Sequence, residues 1–237
     1  MIISLESAVS RIAYPGRGII LGLHEDGVHA VAAYFTMGRS EGSRNRVFVE
    51  TETGIKTRAF DESKLHDPSL FIYSPVMALR DQLIVTNGDQ TDTIATHLKN
   101  GGSFQTALRT RRYEPDALNT PRISGLMMME PGQFSFQLSI LKCTDAQSGA
   151  CGRFFFEYEQ LTAGVGHFLH TYLENGDTLT SFEGEPVPVS IDGDIDAFTD
   201  CLWNSLNADN RVSLYTRFTD LKTTEVRSRI INKYQEA

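Results

Sequence analysis

The sequence predicts a strand-rich α+β domain, and three observations lead to that prediction. Short apolar runs bounded by Gly, Pro, Asn or Asp recur through the middle of the chain, which is typical of strands. Apolar residues at helical spacing are clearest in three segments, two of them in the C-terminal third. No internal repeat, low-complexity segment or Pro/Ser-rich linker divides the 237 residues, so we expect a single domain over residues 1–237.

The predicted strands begin with a hairpin at residues 18–35, GIILGLHEDGVHAVAAYF. Two apolar runs there flank Glu25, Asp26 and Gly27, which are residues typical of a turn. Further strands are expected in six short apolar runs, at 70–72, 82–86, 122–129, 134–141, 153–157 and 166–172.

The predicted helices lie at 89–99, 195–206 and 223–234. In each segment apolar residues recur every three or four positions, which places them on one face of a helix. Because two of the three segments lie near the end of the chain, we expect the C-terminal part, about residues 195–237, to be helical.

The charge balance restricts the classes of function. The chain has 22 Lys and Arg against 30 Asp and Glu, a net charge of -8. This balance argues against a broad surface for nucleic acid or for an anionic membrane, so any anion site must be locally basic. No apolar stretch approaches the ~18 residues that a membrane span needs, and we therefore expect a soluble cytoplasmic protein.

The cysteine and histidine patterns predict neither a disulfide framework nor a metal site. Cys143, Cys151 and Cys201 are an odd number in a long chain, so they are interpreted as ordinary thiols. The motifs CxxC and HExxH and the carboxylate-rich calcium loop are absent from the sequence, and these are the local signatures of dedicated metal sites.

Four polar segments are candidates for chemistry. The first is 38–46, GRSEGSRNR, in which three arginines and two serines stand among glycines. Guanidinium groups bind phosphate oxygens bidentately, and glycine lets backbone N–H groups approach the same ligand. The segment therefore suits a nucleoside monophosphate, and a solvated basic loop is the alternative.

The other three segments carry weaker signals. Residues 86–92, TNGDQTD, follow a strand and open a helix, so they suit either a ligand or an inert turn with an N-cap. Residues 113–122 bring Glu114 close to an apolar strand, where burial would raise its pKa into the range useful for proton transfer. Residues 164–177 contain two histidines three positions apart, on opposite faces of a strand, which argues against joint metal binding.

Six short motifs follow one another along the chain. In order they are Tyr14-Pro15-Gly16-Arg17, Ala32-Ala33-Tyr34, Arg39-Ser40, Asn45-Arg46, Thr86-Asn87-Gly88 with Thr91-Asp92, and Asn119-Thr120-Pro121-Arg122-Ile123. In this order they resemble the archaeal-type IMP cyclohydrolase family. The resemblance covers roughly residues 14–190, and the collinear order of the motifs makes it specific.

The resemblance implies a fold and a reaction. The fold is a four-layer αββα sandwich of two packed antiparallel sheets, similar to the N-terminal nucleophile hydrolases. The reaction is cyclodehydration of 5-formamidoimidazole-4-carboxamide ribotide (FAICAR) to inosine monophosphate (IMP), in which the carboxamide nitrogen attacks the formyl carbon. It implies no cofactor, and its partners are small purine ribotides. We also expect a homo-oligomer.

The resemblance also implies roles for residues. Arg39 would be the cation beside the reacting groups, Tyr73 a hydroxyl donor to the formyl oxygen, and Glu114 the proton shuttle. The residues implied to bind the substrate are Asn45, Arg46, Asn87, Asp92, Asn119 and Arg122. Taken singly, these residues have structural alternatives: Tyr73 would end a strand, and Arg122 would pair with Asp116.

Two other interpretations stay open. An N-terminal nucleophile amidohydrolase would expose Cys, Ser or Thr as its first mature residue, whereas this sequence starts Met1-Ile2-Ile3. A non-catalytic nucleotide-binding paralogue would hold a phosphate in the arginine segment without moving a proton. Residues 41–44 and 145–152 also depart from the shorter archaeal pattern, so the substrate could be a related ribotide.

Overall fold

The computed structural model describes residues 1–64, 72–130, 132–174, 176 and 178–234. None of the α-helices in these residues has both the length and the apolar sequence required to cross a membrane. The elements are, in chain order, α1 (Leu5–Ser10), β1 (Arg17–Leu23), β2 (His29–Met37), α2 (Glu41–Arg44), β3 (Val47–Thr51), β4 (Gly54–Arg58), β5 (Val76–Leu79), β6 (Gln82–Thr86), α3 (Gln90–Lys99), α4 (Phe104–Arg109), β7 (Arg122–Glu130), β8 (Gln133–Asp145), β9 (Ala150–Tyr158), β10 (Val165–His170), β11 (Val187–Ser190), α5 (Ile195–Ser205), β12 (Arg211–Asp220) and β13 (Val226–Asn232).

The strands form two antiparallel sheets. The first has the order β11-β10-β1-β2-β12-β13, and the second has the order β3-β4-β5-β6-β7-β8-β9. Between the sheets lies an apolar core to which Ile19, Leu21 and Leu138 contribute. Burial of such side chains contributes about 25 cal/mol per Å² of apolar surface, so this core is a main source of stability.

Both faces of the central strands are buried, which explains their nearly continuous apolar sequence. In β1, Ile19 and Leu21 belong to the core between the sheets, whereas Ile20 belongs to the core on the other face. Successive side chains alternate across a strand. A strand that is apolar at every position therefore serves two cores at once.

Helices cover the outer face of each sheet. On the first sheet, α1 and α5 pack through Val9, Phe198 and Leu202. On the second, α3 and α4 pack through Ile94 and Phe104. The layers are therefore α-β-β-α, and the predicted four-layer sandwich is confirmed. The similarity to N-terminal nucleophile hydrolases and the single domain stay predictions.

Local sequence explains the hairpin and the start of α5. Gly27 adopts a φ of 69°, a left-handed conformation that glycine reaches at little cost. The Oδ1 atom of Asp26 accepts hydrogen bonds from the backbone N–H groups of Val28 and His29, at 2.7 and 3.0 Å. At α5, the Oδ1 atom of Asp194 accepts from the backbone N of Ala197 at 2.9 Å and caps the helix.

Most predicted elements are present in the described residues. The hairpin at 18–35 is formed by β1 and β2, and the helices at 89–99 and 195–206 are α3 and α5. The strand predicted at 70–72 includes residues 70 and 71, which lie outside the described residues. The other predicted strands correspond to β6, β7, β8, β9 and β10.

The helix predicted at 223–234 is wrong, because this segment contains the strand β13. β13 pairs antiparallel with β12, and Ile231 lies opposite Leu214. Pairing with β12 satisfies the backbone groups that a helix would satisfy internally, and the β-branched Val226, Ile230 and Ile231 favour a strand. The C-terminal part at about 195–237 was predicted to be helical; its described residues instead contain one helix and two strands.

Candidate functional site

A cleft of about 320 Å³ opens at one end of the two sheets. Because β1 is antiparallel to both β2 and β10, the start of β1 lies beside the ends of those two strands. Arg17 lines the cleft from the start of β1, Arg39 from the segment after β2, and Tyr172 from the segment after β10. The segment that precedes β7 supplies Glu114.

Arg17 forms part of the buried base of the cleft, and the glycine before it explains its position. Gly16 has a φ of 74°, and a Cβ atom there would stand 2.3 Å from the Oγ1 atom of Thr171. That same Oγ1 atom accepts a hydrogen bond from the backbone N of Arg17 at 3.1 Å. The Nε atom of Arg17 is buried and has no hydrogen-bond partner among the described residues.

Arg46 places a second buried guanidinium beside the first. Arg46 is 4% exposed, and its pKa is lowered by burial and then by the positive charge of Arg17. Burial also lowers the pKa of Arg17, but the neighbouring Tyr14, Tyr73 and Glu114 raise it above its ordinary value, so that group stays charged. Two adjacent buried guanidiniums create a positive potential that favours an anionic ligand.

Glu114 is the carboxyl group in this potential. It is 8% exposed, and its backbone N donates to the carbonyl oxygen of Thr120 at 2.9 Å. Burial raises the pKa of Glu114 above its ordinary value, while Arg17, Arg122 and Arg46 act in the opposite direction. The protonated form therefore persists to a higher pH than in an exposed glutamate, which suits a proton donor.

Two tyrosine hydroxyl groups lie close to the arginines. The Oη atoms of Tyr34 and Tyr73 are 2.9 Å apart, and both rings interact electrostatically with Arg17 and Arg46. Burial, followed by the neighbouring Tyr73, raises the pKa of Tyr34 well above its ordinary value. Tyr34 is therefore a neutral hydroxyl group, able to donate or accept one hydrogen bond.

Arg39 lies at the exposed rim of the cleft rather than at its base. Its Nη1 atom donates to the carbonyl oxygen of Gly176 at 2.8 Å. The guanidinium also stands over the ring of Tyr14, 4.8 Å from its centroid. Arg39 and Glu114 thus line one cleft, with Arg39 nearer to solvent.

A chain of hydroxyl groups forms another part of the cleft wall. The Oγ1 atom of Thr120 donates to the Oδ2 atom of Asp116 at 2.5 Å and lies 2.8 Å from the Oη atom of Tyr172. Burial raises the pKa of Tyr172 to about 12. Asp116 is thus bound to Thr120, and the alternative in which Arg122 pairs with Asp116 is wrong, because Arg122 pairs with Asp89 at 2.7 Å.

Two predicted ligand amides are bound by the protein itself. The side chain of Asn45 donates to the carbonyl oxygen of Asp61 at 2.8 Å and accepts from its backbone N at 2.7 Å. The Nδ2 atom of Asn87 donates to the carbonyl oxygen of Pro121 at 2.8 Å, and its Oδ1 atom accepts from the backbone N of Ile123 at 2.9 Å. Asn45 borders a separate cavity of about 370 Å³, and Asn87 fixes the segment that leads into β7.

The remaining predicted residues lie around the cleft rather than in its lining, and Tyr73 is not among the lining residues either. Arg122 is buried and donates to the Oε1 atom of Gln90 at 2.6 Å, and its positive charge acts on Glu114. Asp92 is exposed in the first turn of α3, where an acid stabilises the helix. Asn119 adopts a φ of 50° and forms the turn between Leu118 and Thr120.

Arg17 and Tyr34 stand in the sequence motifs of the family resemblance, but no role was predicted for either. Sequence spacing does not reveal that they lie together, because Arg17 and Tyr34 reach the same place through the pairing of β1 with β2. The signal available in the sequence was the glycine directly before Arg17. Glycine is common where the backbone needs a positive φ or a close approach to a side chain.

A family described as IMP cyclohydrolase-like protein matches residues 14–224 of this chain. A relative from Methanosphaera stadtmanae is 34% identical over 116 residues, which cover 47% of this chain and 56% of the relative. One from Methanopyrus kandleri is 34% identical over 119 residues, covering 47% and 57%, and one from Methanococcus maripaludis is 29% identical over 128 residues, covering 52% and 62%. Each relative bears the name IMP cyclohydrolase. The chain thus spans less than two thirds of the length of these relatives.

Proposed function

Since the chain belongs to the IMP cyclohydrolase-like family, we propose that it closes the second ring of IMP from FAICAR. The observation that carries this proposal is the electrostatic interaction of the buried Glu114 with the buried Arg17 and Arg46 at the base of the cleft. In the reaction the carboxamide nitrogen attacks the formyl carbon. The formyl oxygen then leaves as water, taking one proton from each of the two reacting nitrogens.

The cleft has a suitable size and charge for a ribotide. Its volume of about 320 Å³ lies at the lower end of the ~300–1,000 Å³ range typical of small-molecule sites. The protein has a net charge of -8, yet three arginines line this one cleft. We assign the phosphate to the rim, where the exposed Arg39 reaches solvent, and the reacting groups to the base.

At the base, the buried guanidiniums of Arg17 and Arg46 stabilise the negative charge that develops on the formyl oxygen during attack. Such preorganised positive groups act most strongly where water is excluded. Tyr73 donates a hydrogen bond to the same oxygen, and Tyr34 holds the Tyr73 hydroxyl group through their 2.9 Å contact. Arg46, the second of these two arginines, takes the role predicted from the sequence for Arg39, which is the cation beside the reacting groups.

Glu114 moves the proton. In its protonated form, which burial favours, it donates to the departing hydroxyl group, and its carboxylate then accepts the proton released by a ring nitrogen. Asn87 and Arg122 position this residue indirectly, because Asn87 fixes the segment at Pro121 and Ile123 and Arg122 adds positive charge. The substrate-binding roles of Asn45, Asp92 and Asn119, the homo-oligomer and the cytoplasmic location stay predictions.

The test is a cyclisation assay on the whole chain. Purified protein is mixed with FAICAR in the absence of folate, and the ultraviolet absorbance of IMP is followed. Arg17→Lys keeps the charge but loses the planar donor fork, so kcat/KM should fall at least tenfold. Arg11→Lys is the matched control, because Arg11 is exposed at the end of α1.

The control should retain the full rate. Failure of the unsubstituted protein to form IMP, with IMP itself still bound, would leave the non-catalytic nucleotide-binding interpretation. Equal rates in Arg17→Lys and Arg11→Lys would remove the buried arginine from the mechanism.

A further inference from the structure

The turn between β1 and β2 carries a second group of chemically active side chains. His24, Asp26 and His29 each offer one nitrogen or oxygen atom, and these atoms lie within 4.8 Å of one another. Within the described part of the chain this is the group of three or more such residues that could hold a metal ion. It lies at the other end of β1 from Arg17, so it is separate from the cleft.

The hydrogen bonds of His24 orient its ring as in a metal ligand. Its Nε2 atom lies 2.8 Å from the carbonyl oxygen of Gly193, which can only accept, so Nε2 carries the proton. In the neutral ring the Nδ1 atom then has a lone pair, and it faces the Oδ2 atom of Asp26 at 3.0 Å. A bond from the distal ring nitrogen to a carbonyl is the usual support of a ligating histidine.

In this neutral form the Nδ1 lone pair faces a lone pair of Asp26 Oδ2, and the backbone N of Asp26 approaches Nδ1 at 3.4 Å. A metal ion, or a proton on Nδ1, removes this repulsion. The Oδ1 atom of Asp26 is occupied by the backbone N–H groups of Val28 and His29. Oδ2 is the atom left for a ligand, and it also lies 2.6 Å from the Nδ1 atom of His29. Two imidazoles and one carboxylate oxygen form a donor set suited to Zn²⁺ and to similar divalent transition metals.

Packing makes this arrangement rigid on one side and adjustable on the other. The His24 side chain is 12% exposed, and its ring packs against Phe218 with centroids 5.4 Å apart. The His29 side chain is 34% exposed. Metal–nitrogen bonds of about 2.0–2.1 Å separate tetrahedral ligands by about 3.4 Å. The 2.6 Å contact between His29 and Oδ2 must therefore open by about 0.8 Å, and ligand atoms that now lie up to 4.8 Å apart must close to that spacing.

We propose that His24, Asp26 and His29 bind one divalent transition-metal ion of the Zn²⁺ class, with water completing its coordination. Through His24 the ion also holds the β1–β2 turn to the segment before α5, because the carbonyl group and the N–H group of Gly193 are both bonded to this turn. Its carbonyl oxygen bonds His24, and its backbone N donates to the Oε1 atom of Glu25 at 3.2 Å. The site is structural, and its effect is to stabilise the first sheet against α5.

The experiment is a calorimetric titration of ZnCl₂ into the chelator-treated full chain, with the melting temperature measured in parallel. His29→Gln removes one ligand, and His97→Gln is the matched control, because His97 lies on α3 and bonds the carbonyl oxygen of Thr93. All measurements use a Cys143→Ser background, since Cys143 lies opposite Cys151 in the β8–β9 hairpin and thiol pairs also bind zinc.

We expect one equivalent of Zn²⁺ to bind, with an affinity that falls at least tenfold in His29→Gln and is unchanged in His97→Gln. A hundredfold excess of Zn²⁺ over Kd should raise the melting temperature by about 5–10 °C. Asp26→Asn keeps the turn acceptor and serves as a second variant, should His29→Gln melt early without metal. The proposal would be overturned if His29→Gln bound Zn²⁺ as tightly as His97→Gln. It would also be overturned if the protein with His24, Asp26 and His29 intact bound no stoichiometric Zn²⁺.

Discussion

Gly16 is predicted to be the residue whose replacement most clearly separates backbone strain from steric conflict at the cleft. Gly16→Ala places a Cβ atom 2.3 Å from the Oγ1 atom of Thr171 and 2.6 Å from a ring carbon of Tyr172. Alanine at a φ of 74° costs about 1–2 kcal/mol. Displacing two packed side chains adds about 1–3 kcal/mol, so the free energy of unfolding should fall by about 2–5 kcal/mol.

The matched control is Gly101→Ala, because Gly101 has a similar φ of 76° and its Cβ atom would meet nothing within 4 Å. Urea unfolding of this variant should show only the backbone cost of about 1–2 kcal/mol. Gly16→Ala should also lower kcat for ring closure by up to about 100-fold, since Thr171 positions the backbone of Arg17. Equal losses of stability in the two variants would refute the steric argument.

His170, Asn87 and Arg39 each give a further prediction. Burial lowers the pKa of His170 from 6.5 to about 4. Between pH 4 and 6.5 the unfolded chain therefore binds more protons than the folded one, and the free energy of unfolding rises with pH by at most about 3 kcal/mol. Urea unfolding of His170→Gln should show a flatter pH profile, and an unchanged profile would contradict this cause. Asn87→Ala leaves the buried carbonyl of Pro121 and the N–H of Ile123 without this partner. The measured free energy of unfolding should fall by about 2–4 kcal/mol, and a fall of under about 1 kcal/mol would contradict this prediction. Arg39→Ala should raise KM for the ribotide about tenfold or more with little change in kcat, and steady-state kinetics showing the reverse would place Arg39 at the reacting groups instead.

The fold was predictable where the local pattern and the tertiary environment agree. The apolar runs around Gly27 specify the β1–β2 hairpin, and Asp194 specifies the start of α5. The segment at 223–234 was misread because a few apolar positions fit both a helix and an edge strand. Only pairing with β12 decides between them, and the local sequence of 223–234 does not show that this pairing occurs.

The site was predictable as a set of residue types but not as a geometry. Arg46 and Glu114 do meet in the cleft with Arg39. Asn45 and Asn87 look like ligand amides in the sequence, yet both are bound to backbone groups of neighbouring segments. An amide that holds a loop has the same sequence signature as one that holds a substrate, so contacts are needed to tell them apart.

The role proposed for Arg17 depends on burial, which the sequence does not display. A guanidinium at the end of a hairpin strand is usually solvated, and this one is buried beside a second arginine. Its neighbours come from β2, from the segment before β7 and from the segment before β5. This convergence is produced by the packing of two sheets, not by any spacing along the chain.

The measurement that tests the central claim most directly is the parallel determination of kcat for FAICAR cyclisation and of Kd for IMP in Glu114→Gln. Glutamine keeps the shape of the buried side chain but cannot transfer the proton. We expect a fall in kcat of about 10²–10⁴-fold and a Kd close to that of the unsubstituted protein. An unchanged kcat in Glu114→Gln would contradict the assignment of proton transfer to the buried carboxyl group of this cleft.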